Sequence, residues 1–410
     1  MRVLANLFLV LFLADGGLSL LDELVSLLSP VAPLSGLRHV LAVAVIVLAV
    51  PVYLCLGIDR RLPKRVFLPL ILFVFWCPLS TWLFPALAGN PSYGLLAAAA
   101  QVVLGLLPVT RFRKGEARSL TMPRALFGAP MFSLRNTLAF GAANLFVIPV
   151  ALLLFVLAAA DSFMNGHTSG FMRLAPDGLH MTERVYRRDN KTIRLAGMIH
   201  VGEKEYYDEL VGSVVSGRTI VLAEGVTDDE NLLQNRFDYG KVAGFLGLTS
   251  QERMRFRGRV IEPEALDAPR LRSWAEGEGE GAGPADILRA DVDVSAFRPP
   301  TLLFLDTLGK HLKESPSLVR GLLSLNAWAE KNITPEMSEV IMDDILYRRN
   351  KAVIRHLGKA LDRYDTVVIP WGALHMAEIE EEVLARGFGL QEERDRVSID
   401  FRRMLRGTLW

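Results

Sequence analysis

The sequence predicts an N-terminal, multi-span α-helical membrane region followed by an α/β domain in which helices flank a mixed sheet. Hydrophobic residues make up 51% of the 410 residues; the long apolar runs lie in residues 1–160, whereas residues 180–410 are charged and globular in pattern. A unit of apolar strand, Gly-x-x-His and acidic helix occurs twice in the second half. We therefore expect a membrane anchor over residues 1–160, a connector over 161–180 and the α/β domain over 181–410.

Four apolar runs have about the 20 residues that a membrane-spanning helix needs. They are Leu37–Ile58, Val66–Ala88, Tyr93–Val109 and Leu138–Ala160. A fifth run, Val3–Leu28, contains Asp15, Asp22 and Glu23. That run is a further spanning helix, a helix at the membrane surface or an uncleaved signal-anchor, so the anchor has four to five helices.

Lys and Arg in the short loops set the expected orientation, because basic loops stay in the cytoplasm. The loop Asp59–Arg65 holds four basic residues and Arg111–Arg135 holds six, whereas Gly89–Ser92 holds none. With both basic loops and Arg2 inside, a chain of five spans places everything after Asp161 outside the cytoplasm. We expect an integral protein of a bacterial cytoplasmic membrane with its C-terminal domain outside.

Net charge and cysteine content narrow the possible classes of site. The formal net charge is +1, so the overall charge does not favour nucleic acid as a partner. The two cysteines, Cys55 and Cys77, both lie in apolar runs of the first half. The second half therefore has neither a disulfide framework nor a cysteine-based metal site.

Two histidines follow apolar strands in matching contexts. One strand leads to His200 and another leads to His375; each histidine stands three residues after a glycine and just before an acid-rich helix. A third apolar strand, Thr219–Ala223, is followed by Glu224. Because open α/β sheets bind ligands outside the carboxyl ends of their strands, we expect these three side chains in one pocket.

Two imidazoles and a carboxylate suit a divalent metal such as Mn, Co or Zn, with one position left for water. Such a metal lowers the pKa of its bound water and polarises a carbonyl group. His200, His375 and Glu224 are the predicted ligands, and Asp291 or Asp293 could supply a further ligand or a general base.

These residues also have ordinary structural interpretations. A lone histidine after a strand is more often a hydrogen-bonded structural residue than a ligand. Asp291 and Asp293 could each cap a helix. Arg349, whose planar fork could hold a substrate carboxylate or a developing oxyanion, could instead pair with Asp343 or Asp344.

The motifs resemble those of the TraB/PrgY/GumN family, which is similar to the Tiki metalloproteases and to the wider EreA/ChaN-like fold. The resemblance covers Thr192–Gly387 and rests on the elements Gly197–His200 and Gly372–His375, on Glu224 after a strand, and on Arg349-Asn350 in the intervening helix. It implies a Tiki/TraB-like α/β domain and an Mn- or Co-dependent peptidase that cuts near the N-terminus of secreted substrates. It also implies active-site roles for both histidines and Glu224, to which we add Arg349 and Asn350.

The chain departs from that family in two respects. The run Gly202-Glu203-Lys204-Glu205 replaces the Ser or Thr that usually follows the first histidine, and the membrane region precedes the domain. The leading hypothesis is a metal-dependent hydrolase, a peptidase that acts on extracytoplasmic peptides or membrane-tethered proteins. The alternatives are a non-catalytic module of the same fold that binds a peptide or signal, and a membrane accessory protein whose helices carry the function.

Overall fold

The computed structural model describes residues 1–28, 34–88, 90, 92–267 and 284–408. The chain divides into two compact units, Met1–Ala159 and Ala160–Trp410, and each unit has a hydrophobic core of its own. Residues 273–283, a low-complexity stretch that the sequence predicts to be a flexible or lid-like loop, lie outside the described residues.

The first unit is helical, and in the described part of the chain five helices are long and apolar enough to cross a membrane. The helical segments of this region are α1 (Arg2–Leu28), α2 (Ser35–Ile58), α3 (Lys64–Leu83), α4 (Pro85–Ala88), α5 (Tyr93–Gly105), α6 (Leu107–Arg111) and α7 (Leu134–His167). The five candidate spans are α1, α2, α3, α7 and the stretch Tyr93–Arg111 that contains α5 and α6. A small hairpin of β1 (Arg113–Lys114) and β2 (Ala117–Arg118) precedes α7. The prediction of several apolar helices at the N-terminus is confirmed, and the acid-containing first run is one of them.

The acidic residues of α1 are paired inside the bundle. Gln101 donates a hydrogen bond of 2.7 Å to Asp15, and Arg38 lies 3.2 Å from Asp22 and 2.9 Å from Glu23. A buried polar group is costly unless it is hydrogen-bonded, so these contacts offset part of the cost of the acids; Oδ1 of Asp15 and Oδ1 of Asp22 are buried without a hydrogen-bond partner among the described residues.

The second unit is built on a mixed sheet that has eight strands among the described residues. The strands are β3 (Met172–Ala175), β4 (Gly178–Arg188), β5 (Lys191–Met198), β7 (Thr219–Ala223), β9 (Gly258–Ile261), β10 (Ala285–Arg289), β11 (Thr366–Gly372) and β12 (Gly389–Asp400). Their order is β12-β4-β5-β11-β7-β10-β9, with β3 paired to β4. The strands β5, β11, β7, β10 and β9 are parallel to one another. The strand β4 is antiparallel to β5, and both β12 and β3 are antiparallel to β4. The predicted α/β domain with a mixed sheet and flanking helices is therefore confirmed.

Helices flank this sheet, and a separate two-stranded sheet pairs β6 (Val201–Gly202) with β8 (Thr249–Ser250). The helices are α8 (Lys204–Gly212), α9 (Tyr239–Leu246), α10 (Pro299–Glu314), α11 (Leu318–Asn332), α12 (Pro335–Met342), α13 (Arg349–Leu361), α14 (Met376–Ala385) and α15 (Phe401–Thr408). A π-helical turn, Asp343–Arg348, joins α12 to α13.

Residues 161–180 do not form the connector that the sequence predicts. The helix α7 continues to His167, β3 begins at Met172, and β4 begins at Gly178. The small and polar residues of this segment suggest a loop, but Asp161 accepts a hydrogen bond of 2.7 Å from the backbone N–H of Leu174. Contacts of this kind order the segment, so the α/β domain includes residues before 181.

The strands β5, β11, β7 and β10 are neighbours in the sheet, and their carboxyl ends meet at one edge. Ile193, Leu222 and Val367, which lie within these strands, are fully buried in the core of the domain. The core thus fixes the position of the strand ends at which α/β sheets bind ligands.

Candidate active site

Four neighbouring strands each place one polar residue at this edge of the sheet. His200 follows β5, His375 follows β11, Glu224 follows β7 and Asp291 follows β10. Arg349, at the start of α13, contacts Glu224, Asp291 and His375. The structure therefore brings the predicted residues of three strands together around one guanidinium.

Glu224 is a buried, ionised carboxylate. Its side chain is 2% exposed; Oε1 accepts a hydrogen bond of 2.7 Å from Arg349 Nη2, and Oε2 accepts one of 2.8 Å from the backbone N–H of Gly372. Burial by itself would raise the pKa of Glu224. The positive charge of Arg349, aided by the two histidines and the Gly372 N–H, outweighs burial and lowers this pKa to about 2. Glu224 is therefore negatively charged at neutral pH.

His375 is a buried, neutral imidazole in a defined tautomer. Its Nδ1 lies 2.6 Å from Oδ1 of Asn350, and Nδ2 of Asn350 donates to Glu378 at 2.6 Å. Because a carboxylate only accepts, the oxygen of Asn350 faces the imidazole, so Nδ1 carries the proton and Nε2 is an acceptor. Burial, and then the charge of Arg349, lower the pKa of His375 to about 4. Trp371 packs edge-on against the ring, with the ring centres 5.2 Å apart.

His200 is anchored in a similar way but is only half-buried. Its Nδ1 lies 2.7 Å from Oε1 of Gln251, whose backbone N–H also donates to the His200 carbonyl at 2.9 Å. The ring of Tyr239 packs against the imidazole, with the ring centres 4.5 Å apart. As Nδ1–H donates to the amide oxygen, Nε2 is the open nitrogen, and no described residue hydrogen-bonds to it. The strand before His200, β5, and the strand before Glu224, β7, lie on either side of β11, which leads to His375, so the three residues follow neighbouring strands of the sheet.

Every N–H group of Arg349 is engaged within the protein. Nε and Nη2 donate to Asp291 at 3.0 and 2.7 Å, and Nη2 also donates to Glu224 at 2.7 Å. Nη1 donates to Nε2 of His375 at 3.2 Å and to the carbonyl of Ile345 at 3.4 Å. Burial opposes the charged form, but the two carboxylates raise the pKa of Arg349 further above its usual range. The predicted roles of binding a substrate carboxylate or an oxyanion require N–H groups that are already used here.

A change of helical register precedes the two consecutive site residues Arg349 and Asn350. Both of these side chains are buried at the site. The π turn Asp343–Arg348 ends directly before them, and its wider hydrogen-bonding pattern shifts the helix register. Asp344 fixes the turn, because its buried carboxylate accepts a hydrogen bond of 2.8 Å from the backbone N–H of Arg298. The predicted alternative, a pairing of Arg349 with Asp343 or Asp344, does not form: both aspartates pair with Arg298, and Arg349 pairs with Glu224 and Asp291.

The two predicted aspartates lie in different environments. Asp291 belongs to the site through its contacts with Arg349. Asp293 accepts hydrogen bonds from the backbone N–H of Ser295 at 2.9 Å and from Oγ1 of Thr227 at 2.7 Å. These bonds lower the pKa of Asp293 and cap a short 3₁₀ turn. The structure thus gives Asp293 the capping role that was its alternative interpretation, and it is not a ligand partner of the histidines.

Three residues of the site are missing from the sequence prediction. Glu378 could have been found, because it follows His375 by three residues on the acidic helix and therefore lies on the same side. Gln251 and Tyr239 could not, since nothing in their local sequence indicates that β8 pairs with β6 beside His200. Their positions depend on tertiary packing alone.

The donor types of this site suit a divalent metal, but their arrangement does not fit one. The Nδ1–H of each histidine donates to an amide oxygen, as is usual for a metal-ligating histidine. However, Nε2 of His375 and Oε1 of Glu224 both accept hydrogen bonds from Arg349. Within the described ranges, no group of three or more His, Cys, Asp or Glu side chains is placed to hold a metal ion. Binding of Mn, Co or Zn by His200, Glu224 and His375 stays a prediction, and it would require Arg349 to move.

Comparison with known proteins identifies no relative: no protein-family model, curated protein or solved structure matches the chain significantly. The resemblance to the TraB/PrgY/GumN family therefore stays a prediction based on its short motifs. The chemistry of the site itself carries the functional inference.

Proposed function

We propose that the chain is a membrane-anchored hydrolase with a Tiki/TraB-like α/β domain that cleaves extracytoplasmic peptides or membrane-tethered proteins. The observation that carries this proposal is the half-buried imidazole of His200, whose Nδ1–H is fixed by Gln251 and whose Nε2 is open. The ionised Glu224 follows β7, which lies two strands away from the strand of His200, at the same edge of the sheet. An imidazole with one fixed and one open nitrogen is the usual form of a general base.

His200 acts as the base in this proposal. Its Nε2 accepts a proton from a water molecule while the water oxygen attacks the carbonyl carbon of the substrate. The same nitrogen returns this proton to the leaving amine when the C–N bond breaks. The products are a carboxylic acid and an amine, and His200 is again neutral.

The neighbouring charges support this role. With His375 neutral, the negative charges of Glu224 and Asp291 exceed the positive charge of Arg349 by one. In this scheme that net negative charge would favour a cationic group that forms beside it during the reaction. Glu224, Arg349, His375 and Asn350 are positioning and electrostatic residues in this scheme.

Apolar side chains next to the site support a peptide substrate. Val226, two residues after Glu224, is 38% exposed, and Leu374, the neighbour of His375, is 59% exposed. Binding pockets are typically apolar with a few convergent polar groups. A peptide with apolar side chains beside the scissile bond would cover both residues.

The proposed location follows from the membrane segments. The five candidate spans, together with the basic loops Asp59–Arg65 and Arg111–Arg135, favour a C-terminal domain outside the cytoplasm of a bacterial membrane. Substrates would then be extracytoplasmic or tethered to the same membrane.

The test of the function is peptide cleavage by the full chain in nanodiscs, followed by mass spectrometry of a peptide library. His200→Ala should lose cleavage by about 100-fold or more, the usual contribution of a general base. His311→Ala is the matched control. His311 on α10 forms a hydrogen bond with Ser324 on α11, so this variant should cleave peptides as wild type does. Cleavage that persists unchanged in His200→Ala would refute the assignment.

A binding module is the second candidate function, and one observation favours it. Arg349 has no unused N–H group, so it offers nothing to a developing oxyanion. If the domain only binds peptides, library peptides should be retained on the nanodisc-bound chain without cleavage. Binding should then survive His200→Ala.

A further inference from the structure

We propose that the guanidinium of Arg349 is the resident cation of this site, and that the site works without a bound metal ion. The proposal concerns the same pocket as the proposed hydrolase, but it does not depend on hydrolase activity. It replaces the metal expected from the motifs with a residue of the chain.

Arg349 already contacts the atoms that a metal would use. It lies 2.7 Å from Oε1 of Glu224, 2.7 Å from Oδ2 of Asp291 and 3.2 Å from Nε2 of His375. A divalent metal bound to these donors would have to approach them to about 2.0–2.2 Å. The metal and the guanidinium would compete for the same lone pairs.

Charge also opposes a second cation. The carboxylates of Glu224 and Asp291 are 2% and 0% exposed, and the guanidinium between them is 10% exposed. A divalent ion placed beside Arg349 would be repelled by it in surroundings that screen charge weakly. Arg349 thus cancels part of the negative charge that would otherwise attract a metal ion.

Arg349 is also held in place from its other sides. The carbonyl of Ile345 accepts from Nη1, and the guanidinium carbon lies 5.5 Å from the centre of the Trp371 ring. Arg349 is 8% exposed as a whole residue. If it swung away to admit a metal, it would leave these partners and expose a charge that is now fully hydrogen-bonded.

The test is Co²⁺ binding by the full chain in nanodiscs after treatment with a chelator, followed by visible absorption. Wild type should bind no stoichiometric Co²⁺. Arg349→Met keeps the apolar stem and releases Glu224, Asp291 and His375. This variant should therefore bind Co²⁺ with a Kd about 10-fold or more below that of wild type. Adding Glu224→Gln to that variant should remove the gain.

Arg298→Met is the matched control. Arg298 pairs with the carboxylates of Asp343 and Asp344, and its described partners include no histidine. This variant should gain no Co²⁺ absorption, because carboxylates alone are poor ligands for this metal compared with a site that includes imidazole.

One Co²⁺ per wild-type chain, lost in His375→Ala, would overturn the proposal. A folded Arg349→Met that gains no Co²⁺ would also overturn it, since Arg349 would then not be what excludes the metal. If Arg349→Met does not fold, the wild-type titration decides alone. If wild type binds no metal and cleaves no peptide, the proposed function is refuted and this inference stands. If wild type cleaves peptides and holds stoichiometric metal, this inference is refuted and the proposed function stands.

Discussion

At the scale of single residues, amide side chains decide what the two histidines can do. Asn350 and Gln251 each place an oxygen against Nδ1, so both imidazoles keep their proton on that nitrogen. Arg349 then occupies Nε2 of His375, whereas Nε2 of His200 stays open among the described residues. Two histidines that look equivalent in the sequence are therefore different: His375 is buried and hydrogen-bonded at both ring nitrogens, whereas His200 is half-buried and hydrogen-bonded at Nδ1.

The low pKa of His375 predicts a loss of stability in mild acid. Its pKa is about 4 in the folded chain and 6.5 ordinarily, so the unfolded chain binds the proton more tightly. The stabilising contribution is complete above pH 6.5 and is lost as the pH falls toward about 4. The melting temperature of the full chain in nanodiscs should fall over this interval, and the fall should be smaller in His375→Gln.

His311→Gln is the control for that measurement and should keep the wild-type profile. Glu224 contributes in a different interval, because its stabilisation is lost as the pH falls from 4.5 toward about 2. An identical fall between pH 6.5 and 4 in wild type and His375→Gln would contradict a buried neutral imidazole.

Residue identity alone predicted part of the site. Glu224 and His375 contact Arg349, because each stands at the end of a strand or the start of a helix whose position the core fixes, whereas His200 contacts Gln251 and Tyr239. Asp291 and Asp293 could not be told apart, since alternation along a strand treats them alike. Their difference arises because the chain after Asp293 turns into a 3₁₀ helix whose N–H groups need a cap.

At the scale of elements, the segment between β7 and β9 supplies the side chains that contact the ring of His200. It contains α9 and β8, and β8 pairs with β6 immediately after His200. Tyr239 and Gln251 reach the imidazole from this segment. The surroundings of His200 thus depend on a segment outside the main sheet, whereas the surroundings of His375 are built from the sheet and from α13.

Gln251 should be a positioning residue whose effect falls on turnover. Gln251→Ala removes the acceptor for Nδ1–H, so the His200 ring loses its fixed tautomer, and kcat should fall by about 10- to 100-fold with little change in KM. Gln251→Glu restores an acceptor and should recover most of kcat. It should also shift the acidic limb of the pH–rate profile upward, because a carboxylate raises the pKa of the imidazole.

Equal kcat in Gln251→Ala and wild type would show that the tautomer of His200 does not matter. A loss that Gln251→Glu does not restore, with an unshifted pH profile, would indicate a purely structural role for this residue.

The element pattern was largely predictable for the strands and helices with strong periodicity. The apolar strands before His200, Glu224 and His375 form, and five helices are long and apolar enough to span a membrane in the described part of the chain. The prediction of a connector over residues 161–180 was wrong, because contacts such as that of Asp161 with Leu174 order the small and polar residues of this segment. The π turn Asp343–Arg348 leaves no signal in the apolar spacing, since it arises from packing around Asp344.

At the scale of the whole molecule, the chain combines a set of apolar helices with a charged α/β domain. The basic loops Asp59–Arg65 and Arg111–Arg135 should face the cytoplasm, because translocating them is unfavourable. A reporter fused after Trp410 should therefore be active only if it functions outside the cytoplasm. A cytoplasm-specific reporter that is active at this position would reverse the assignment and the expected substrates with it.

The central claim is that this pocket hydrolyses peptides with His200 as its base, and isotope incorporation tests it most directly. Full chain in nanodiscs is incubated with a cleavable peptide in ¹⁸O-labelled water, and the products are weighed by mass spectrometry. We expect one ¹⁸O in each new carboxylate for wild type and His311→Ala, and about 100-fold less product for His200→Ala. Intact peptide in all three samples, or labelled product at equal rates in all three, would contradict the account.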